Sequence, residues 1–311
     1  MKEKSWSFLQ KNDVVDIIAP ASRSSVDRLE EGIRWVENLG LIPRVPFDIM
    51  KSDLFFAAPL EVQFEHLKQS IYSDSKAIWC LRGGYGSMRL VPFLKKLSPP
   101  KKAKLFIGFS DITSLHLFLN QEWNWKTIHG RTISQMHPDF AKTPDRKFLK
   151  DIIFGKKTER TFRKLLPLNQ RAYEKRILMA PMTGGNLRIV QSSLGTDWEL
   201  NARGKILFLE DVGERGYSIH RMLEQLLQAK ILNKNVRAIV FGDFTEGQEK
   251  DGKDFTLKAI ERFADHAPFP VLRGLPSGHG HEVNFPLPLN SMCKLTLGAL
   301  GQLTCSYGGT G

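Results

Sequence analysis

Cysteine is scarce. The 311 residues contain three, Cys80, Cys293 and Cys305. An odd count without CxxC spacing argues against a disulfide framework. Long apolar runs are missing too: nothing approaches the ~18 residues that span a bilayer. The N-terminal stretch MKEKSWSFLQKNDVVDIIAP starts basic, but Lys11, Asn12, Asp13 and Asp16 interrupt its apolar part, so no secretory h-region forms. A soluble, cytoplasmic protein is expected, with no membrane partner. There are no repeats and no low-complexity tracts. The glycines at 83, 84 and 86 fail the GxGxxG pattern, and neither GxxxxGK[ST] nor HExxH occurs.

What is present is an ordinary globular composition: 41% hydrophobic and 25% charged residues. That excludes a disordered or collagen-like chain. A chain this long folds as two domains or one large one, burying roughly 75% of its unfolded surface. The unusual figure is the net charge of +12. Taken alone, it suggests a nucleic-acid or membrane-surface partner.

Up to about residue 130, strands and helices alternate. VVDIIAP (14–20), KAIWCLRGG (76–84) and KLFIGFS (104–110) read as buried strands. Apolar residues at helical spacing over 25–39 and 60–71 give helices, the first with Ser24 or Ser25 as cap and Gly40 as stop. Such βα units predict a parallel sheet covered by helices, with ligands at the carboxyl ends of its strands. We therefore expect an N-terminal α/β domain over 1–150 and a basic linker over 151–175. A C-terminal domain over 176–311 should mix strands (177–186, 204–211, 236–244, 291–305) and helices (219–231, 254–265) without a clean βαβ rhythm.

Three strand ends carry candidate chemistry. In GFSD (108–111), Ser110 stands where a strand turns into a helix, so its hydroxyl lies over a helix N-terminus that favours a developing anion. The alternative is a simple N-cap. Ile112 occupies the second glycine of GxSxG, so this is not the standard hydrolase elbow. In RGGYGS (82–87), adjacent glycines let backbone amides approach an oxygen, or simply form a turn. In the second domain, LFLEDVGE (207–214) ends a strand with Glu210 and Asp211, and GLPSGHGHE (274–282) is a glycine-rich loop with His279 and His281. A loop histidine oriented by a carboxylate can act as a base. A rival reading assembles His279, His281, Glu282 and His129 or His137 around zinc, but the spacing matches no zinc pattern. No metal or cofactor is expected.

These runs together resemble the LD-carboxypeptidases, a family of serine peptidases that includes murein tetrapeptide carboxypeptidases and microcin-C self-immunity peptidases. The resemblance covers nearly the whole chain. It rests on IIAPAS (17–22), LRGGYGSMRL (81–90), IGFSDITSLH (107–116), His129-Gly130, GGNLRIVQSSLGT (184–196), ILFLEDVGERGYSIHRMLEQL (206–226) and GLPSGHG (274–280). It implies a Rossmann- or flavodoxin-like N-terminal domain and a smaller β-rich α/β C-terminal domain. It also implies a triad of Ser110 as nucleophile, Glu210 as acid and His279 as base, with an oxyanion hole from the backbone amides of Gly84 and Asp111. The implied substrate is a murein peptide with an L,D bond, and the implied assembly a homodimer. Two departures stand out: Arg131-Thr132 follows His129-Gly130 where the family has Pro-Met, and Asn290 ends the family's Pro-Leu-Gly run. An exopeptidase needs a cation for the terminal carboxylate, and Arg82 and Arg131 are the candidates, since a guanidinium can grip a carboxylate bidentately.

Two other readings compete. A peptide–nucleotide hydrolase of the microcin-immunity type would need an aromatic stacking surface, for which Trp123, Trp125 and Tyr217 are available. A non-catalytic module would use the glycine turn only to hold a ligand. The nucleic-acid reading weakens once the charges are located. Residues 141–180 hold twelve Lys and Arg against four Asp and Glu, and 95–104 hold five lysines and no acid. The rest of the chain is nearly neutral, and neither basic segment interleaves aromatics as single-strand binders do.

Overall fold

The computed structural model describes residues 4–136, 143–280 and 283–308. The chain divides into two compact units. The first comprises Met1–Thr158, Phe285–Leu287 and Tyr307–Gly311, the second Glu159–Asn284 and Pro288–Ser306.

The first unit runs β1 (Val14–Ile18), α1 (Val26–Asn38), β2 (Ile42–Arg44), α2 (Leu60–Tyr72), β3 (Ala77–Cys80), α3 (Val91–Leu94), β4 (Leu105–Gly108), α4 (Thr113–Gln121), β5 (Thr127–His129) and α5 (Pro144–Ile153). β3 and β4 are buried along their whole length, which is why they read as unbroken apolar runs rather than alternating ones. Ser25 caps α1 by accepting the Arg28 amide, and Gly40 follows the helix with φ +79°. The sheet order is β11-β5-β4-β3-β1-β2, with β11 (Leu287–Leu289) supplied from far along the chain and β1 to β5 parallel. The order β2-β1-β3-β4-β5 is flavodoxin-like, with its switch point between β1 and β3. The loops leaving the carboxyl ends of these two strands begin Ala19–Ser22 and Leu81–Gly86.

The second unit is a closed seven-stranded barrel. It contains β6 (Glu159–Pro167), α6 (Gln170–Tyr173), β7 (Ile177–Asn186), α7 (Leu187–Ser192), β8 (Ile206–Val212), α8 (Gly216–Gln228), β9 (Ala238–Thr245), α9 (Thr256–His266), β10 (Val271–Arg273), β12 (Met292–Thr296) and β13 (Gly301–Ser306). Strand order around the barrel is β10-β6-β13-β12-β7-β8-β9. β7 to β10 are parallel, and β6, β13 and β12 close the barrel antiparallel. Closure leaves no unpaired edge.

Two expectations need correction. Residues 151–175 are not a linker: α5 extends to Ile153, and β6 is a barrel strand. The boundary between the units falls after Thr158 rather than at 150 or 176, and short C-terminal segments belong to the first unit. Lys164, at φ +62°, sits at a register shift against β13, so two exposed residues, Arg163 and Lys164, follow one another between buried Phe162 and Leu165. That bulge breaks the period-2 signal. The second unit also does have a βαβ rhythm, from β7 to β10. The six-residue α7 is too short to show helical periodicity. Among the described residues, no helix is long and apolar enough to cross a membrane.

Candidate active site

In the first unit, Ser110 stands two residues past the end of β4 and opens a 3₁₀ turn, Ser110–Ile112, that leads into α4. Its φ is +64°, a left-handed conformation that costs a non-glycine residue about 1–2 kcal/mol. Strain at a strand-to-helix turn is characteristic of a serine held up for reaction. Gly108 lets the turn close, since a methyl there would lie 2.7 Å from Ile112 Cγ2. Ile112 thus packs onto the glycine before the serine instead of supplying a second one after it.

The RGGYGS loop leans on this turn. A methyl at Gly83 would lie 2.8 Å from Ser110 Cβ and 3.2 Å from Oγ. Gly84, at φ +96°, backs onto Ser22, whose Oγ would stand 2.5 Å from an added Cβ. Ser22 fixes the loop: its Oγ accepts the Tyr85 amide at 3.0 Å, and its amide donates to Gly83 O at 3.1 Å. On the other side, the Asp111 carboxylate accepts the Ser87 amide at 2.8 Å, and Ser87 Oγ donates to Asp111 O at 2.6 Å. Burial raises the Asp111 pKa, opposed by the hydrogen bonds from Ser87 and Gly86. The amides of Gly84 and Asp111 therefore sit on a rigid frame, and the first amides of a helical turn have no partner within the turn itself.

In the second unit, Glu210 and Asp211 lie at the carboxyl end of β8 with side chains on opposite faces. Asp211 accepts from Asn186 Nδ2 and from the amides of Arg188 and Val212, each at 2.9 Å. Glu210, fully buried, faces the loop after β10, where its Oε2 lies 2.6 Å from His279 Nδ1. The carboxylate can only accept, so Nδ1 carries the proton and Nε2 keeps the basic lone pair. Gly278, at φ +127°, makes this approach possible, because an added Cβ would lie 2.8 Å from both Glu210 Cβ and Oε2. Asn284 Oδ1 accepts the Gly278 amide at 3.1 Å, and Thr245 Oγ1 donates to His279 O at 3.4 Å.

Burial depresses the His279 pKa, but the charge and hydrogen bond of Glu210, with Asp211 and Glu246 behind them, outweigh it, and the net shift is upward. Burial, then the Glu210 charge, pushes Asp211 up to about 7 and Asp243 up to about 6. Asp243 faces Gly280, where a methyl would lie 2.5 Å from its Oδ2. Its place at the end of VRAIVFGDF was open to the same strand-end argument that found Glu210, and the sequence reading missed it.

The remaining candidates separate. Arg82 is exposed, and its Nη1 donates to Arg23 O at 2.7 Å. Arg131 does not present its guanidinium as expected: its side chain is 8% exposed and forms a close ion pair with the fully buried Asp145. Its position, two residues past the buried strand β5, places it in the core. Trp123 and Trp125 are also core residues, packed on each other at 5.6 Å, so they offer no stacking surface; Tyr217 is half exposed. His129 is buried with its ring edge-on to Phe109. Among the described residues, no group of three or more His, Cys, Asp or Glu is arranged to hold a metal ion. His137, His281 and Glu282 of the zinc reading lie outside the described residues.

The model for the LD-carboxypeptidase N-terminal domain matches residues 15–130, and that for the C-terminal domain matches 179–295. The chain belongs to the LD-carboxypeptidase family. It is accordingly a serine-type carboxypeptidase. A provisionally named carboxypeptidase of Rickettsia conorii is 38% identical, covering 92% of this chain and 88% of that one. The murein tetrapeptide carboxypeptidase of Pseudomonas aeruginosa is 32% identical, covering 86% of this chain and 88% of that one. The crystal structure of the muramoyltetrapeptide carboxypeptidase of Oxalobacter formigenes superposes with a TM-score of 0.81 at 26% identity, over 96% of this chain and 100% of that one.

Proposed function

We propose that this LD-carboxypeptidase removes the terminal D-alanine from murein tetrapeptide, in the cytoplasm, during peptidoglycan recycling. The observation that carries the reading is the 2.6 Å pair of buried Glu210 and partly buried His279, in a family whose Pseudomonas aeruginosa member is a murein tetrapeptide carboxypeptidase. The strained Ser110 at the end of β4 supports it.

In this reading, Ser110 Oγ attacks the scissile carbonyl and His279 Nε2 takes its proton. Glu210 holds the tautomer whose Nε2 carries the basic lone pair and stabilises the imidazolium once it forms. The amides of Gly84 and Asp111 receive the oxyanion; losing one such donor typically costs ~3–4 kcal/mol of barrier. His279 then protonates the leaving D-alanine amine, and water releases the acyl-enzyme. Arg82 remains the candidate grip for the terminal carboxylate, with a homodimer as the working assembly.

The test is mass spectrometry of products from tri-, tetra- and pentapeptides, with an aminoacyl-sulfamoyl adenylate in parallel. Loss of one D-alanine from the tetrapeptide alone is expected. Cleavage of the adenylate with the tetrapeptide left intact would replace this reading with the microcin-immunity activity.

A further inference from the structure

The lysine-rich segment 95–104 takes no part in the proposed reaction. Lys76 immediately precedes β3 and Lys104 immediately precedes β4, so both stand at the amino ends of the parallel strands, whereas Ser110 follows the carboxyl end of β4. At this amino end a cavity of about 640 Å³ opens between three stretches of chain, 4–7, 71–76 and 100–104. That volume suits a small-molecule ligand.

Lys4, Lys76, Lys101, Lys102 and Lys104 line the cavity. The single carboxylate among the described lining residues, Asp74, lies 2.8 Å from Arg44, which is outside the cavity. The walls therefore hold a positive charge that they do not themselves neutralise.

The lysine segment is anchored. Tyr72 Oη donates to Ser98 O at 2.5 Å, tying the segment to the end of α2, and Lys4 Nζ donates to Pro100 O at 3.2 Å. Lys104 is fixed at the floor, its Nζ donating to Ser70 O at 2.5 Å and Ser73 O at 2.8 Å. Burial pushes the Lys104 pKa down to about 8, with Arg44 and Lys76 adding to the depression and Asp16 and Asp74 opposing it. A bound anion would raise it again.

We infer that this cavity binds a small phosphate-bearing anion through the ammonium groups of Lys76, Lys101 and Lys102, above the fixed Lys104. The lining suits phosphate because its lysines act as point charges toward phosphate oxygens and its serines add hydroxyl donors. It favours a small molecule over a nucleic-acid strand because Tyr72 is the only aromatic residue among the described lining residues, and one ring is no platform for successive bases.

Isothermal titration of the full-length protein with inorganic pyrophosphate, at fixed ionic strength, tests the inference. Saturable binding at one site is expected, with Kd below about 1 mM. Lys101 and Lys102 are exposed, so the K101E/K102E variant should fold. It should bind at least about tenfold more weakly, with K101Q/K102Q between the two. D-alanine release and melting temperature should stay at parental values in both. Absence of saturable heat, an unchanged Kd in both variants, or binding of a single-stranded oligonucleotide without binding of pyrophosphate would each overturn it.

Discussion

Gly278→Ala separates the geometry of the acid–histidine pair from mere backbone stability. At φ +127°, an alanine is strained by about 1–3 kcal/mol. Its Cβ would also stand 2.8 Å from Glu210 Cβ and Oε2, well inside ordinary contact. Restoring contact requires a displacement of about 0.6 Å, enough to stretch the 2.6 Å bond to His279 to about 3.2 Å, the limit of a useful hydrogen bond. Misplacement on this scale, at a group that must orient the base, corresponds to a loss of about 10- to 100-fold in kcat/KM, or roughly 1.4–2.7 kcal/mol of barrier. Gly274→Ala is the control. Gly274 also has positive φ, +92°, but nothing lies within 4 Å of an added Cβ. It should lower the melting temperature comparably and keep kcat/KM within about threefold of parental. The assay is D-alanine release from tetrapeptide, with melting curves on the same preparations. Equal loss of activity in both variants, or parental activity in Gly278→Ala, would refute the reasoning.

Other contacts give further outcomes. The raised His279 pKa sets an acid limb in kcat/KM with its midpoint above 6.5, since only the neutral imidazole accepts the Ser110 proton; Glu210→Gln should move that midpoint down in a pH–rate profile. Because the folded pKa exceeds the unfolded one, the pair's stabilisation is complete below about 6.5 and fades as pH rises through the folded value, so Glu210→Gln should cost more stability at acid than at alkaline pH. Ser110→Gly should abolish turnover and, by relieving a φ of +64°, raise stability by about 1 kcal/mol in denaturant titration. Arg131→Ala breaks the buried ion pair with Asp145 and should cost about 3–5 kcal/mol of stability, whereas Arg82→Ala should raise KM with little change in melting temperature.

The first unit was largely legible in the sequence because β1, β3 and β4 are buried almost throughout and its first two helices are long with one buried face. VVDIIAP, KAIWC and KLFIG carry that burial openly, and Ser25 and Gly40 mark the helix between the first two strands. The second unit was harder. β6 hides behind the bulge at Lys164 and a surface rich in charge, and α7 is too short to show a period. At the site, residue type and strand-end position identified Ser110, Glu210 and His279 as candidates. Which of Glu210 and Asp211 meets the histidine depends on the face each occupies at the end of β8. Arg131 misled because an arginine after a glycine reads as exposed, while its buried partner, Asp145, lies fourteen residues on and is visible only in the fold.

The proposed reaction depends on Ser110 as the nucleophile. Its most direct test compares D-alanine release from murein tetrapeptide by the parental enzyme and by Ser110→Ala, both shown to be folded by their melting transitions. Release by the parental enzyme and essentially none by Ser110→Ala is expected. Release by Ser110→Ala at the parental rate, or none from the folded parental enzyme, would contradict it.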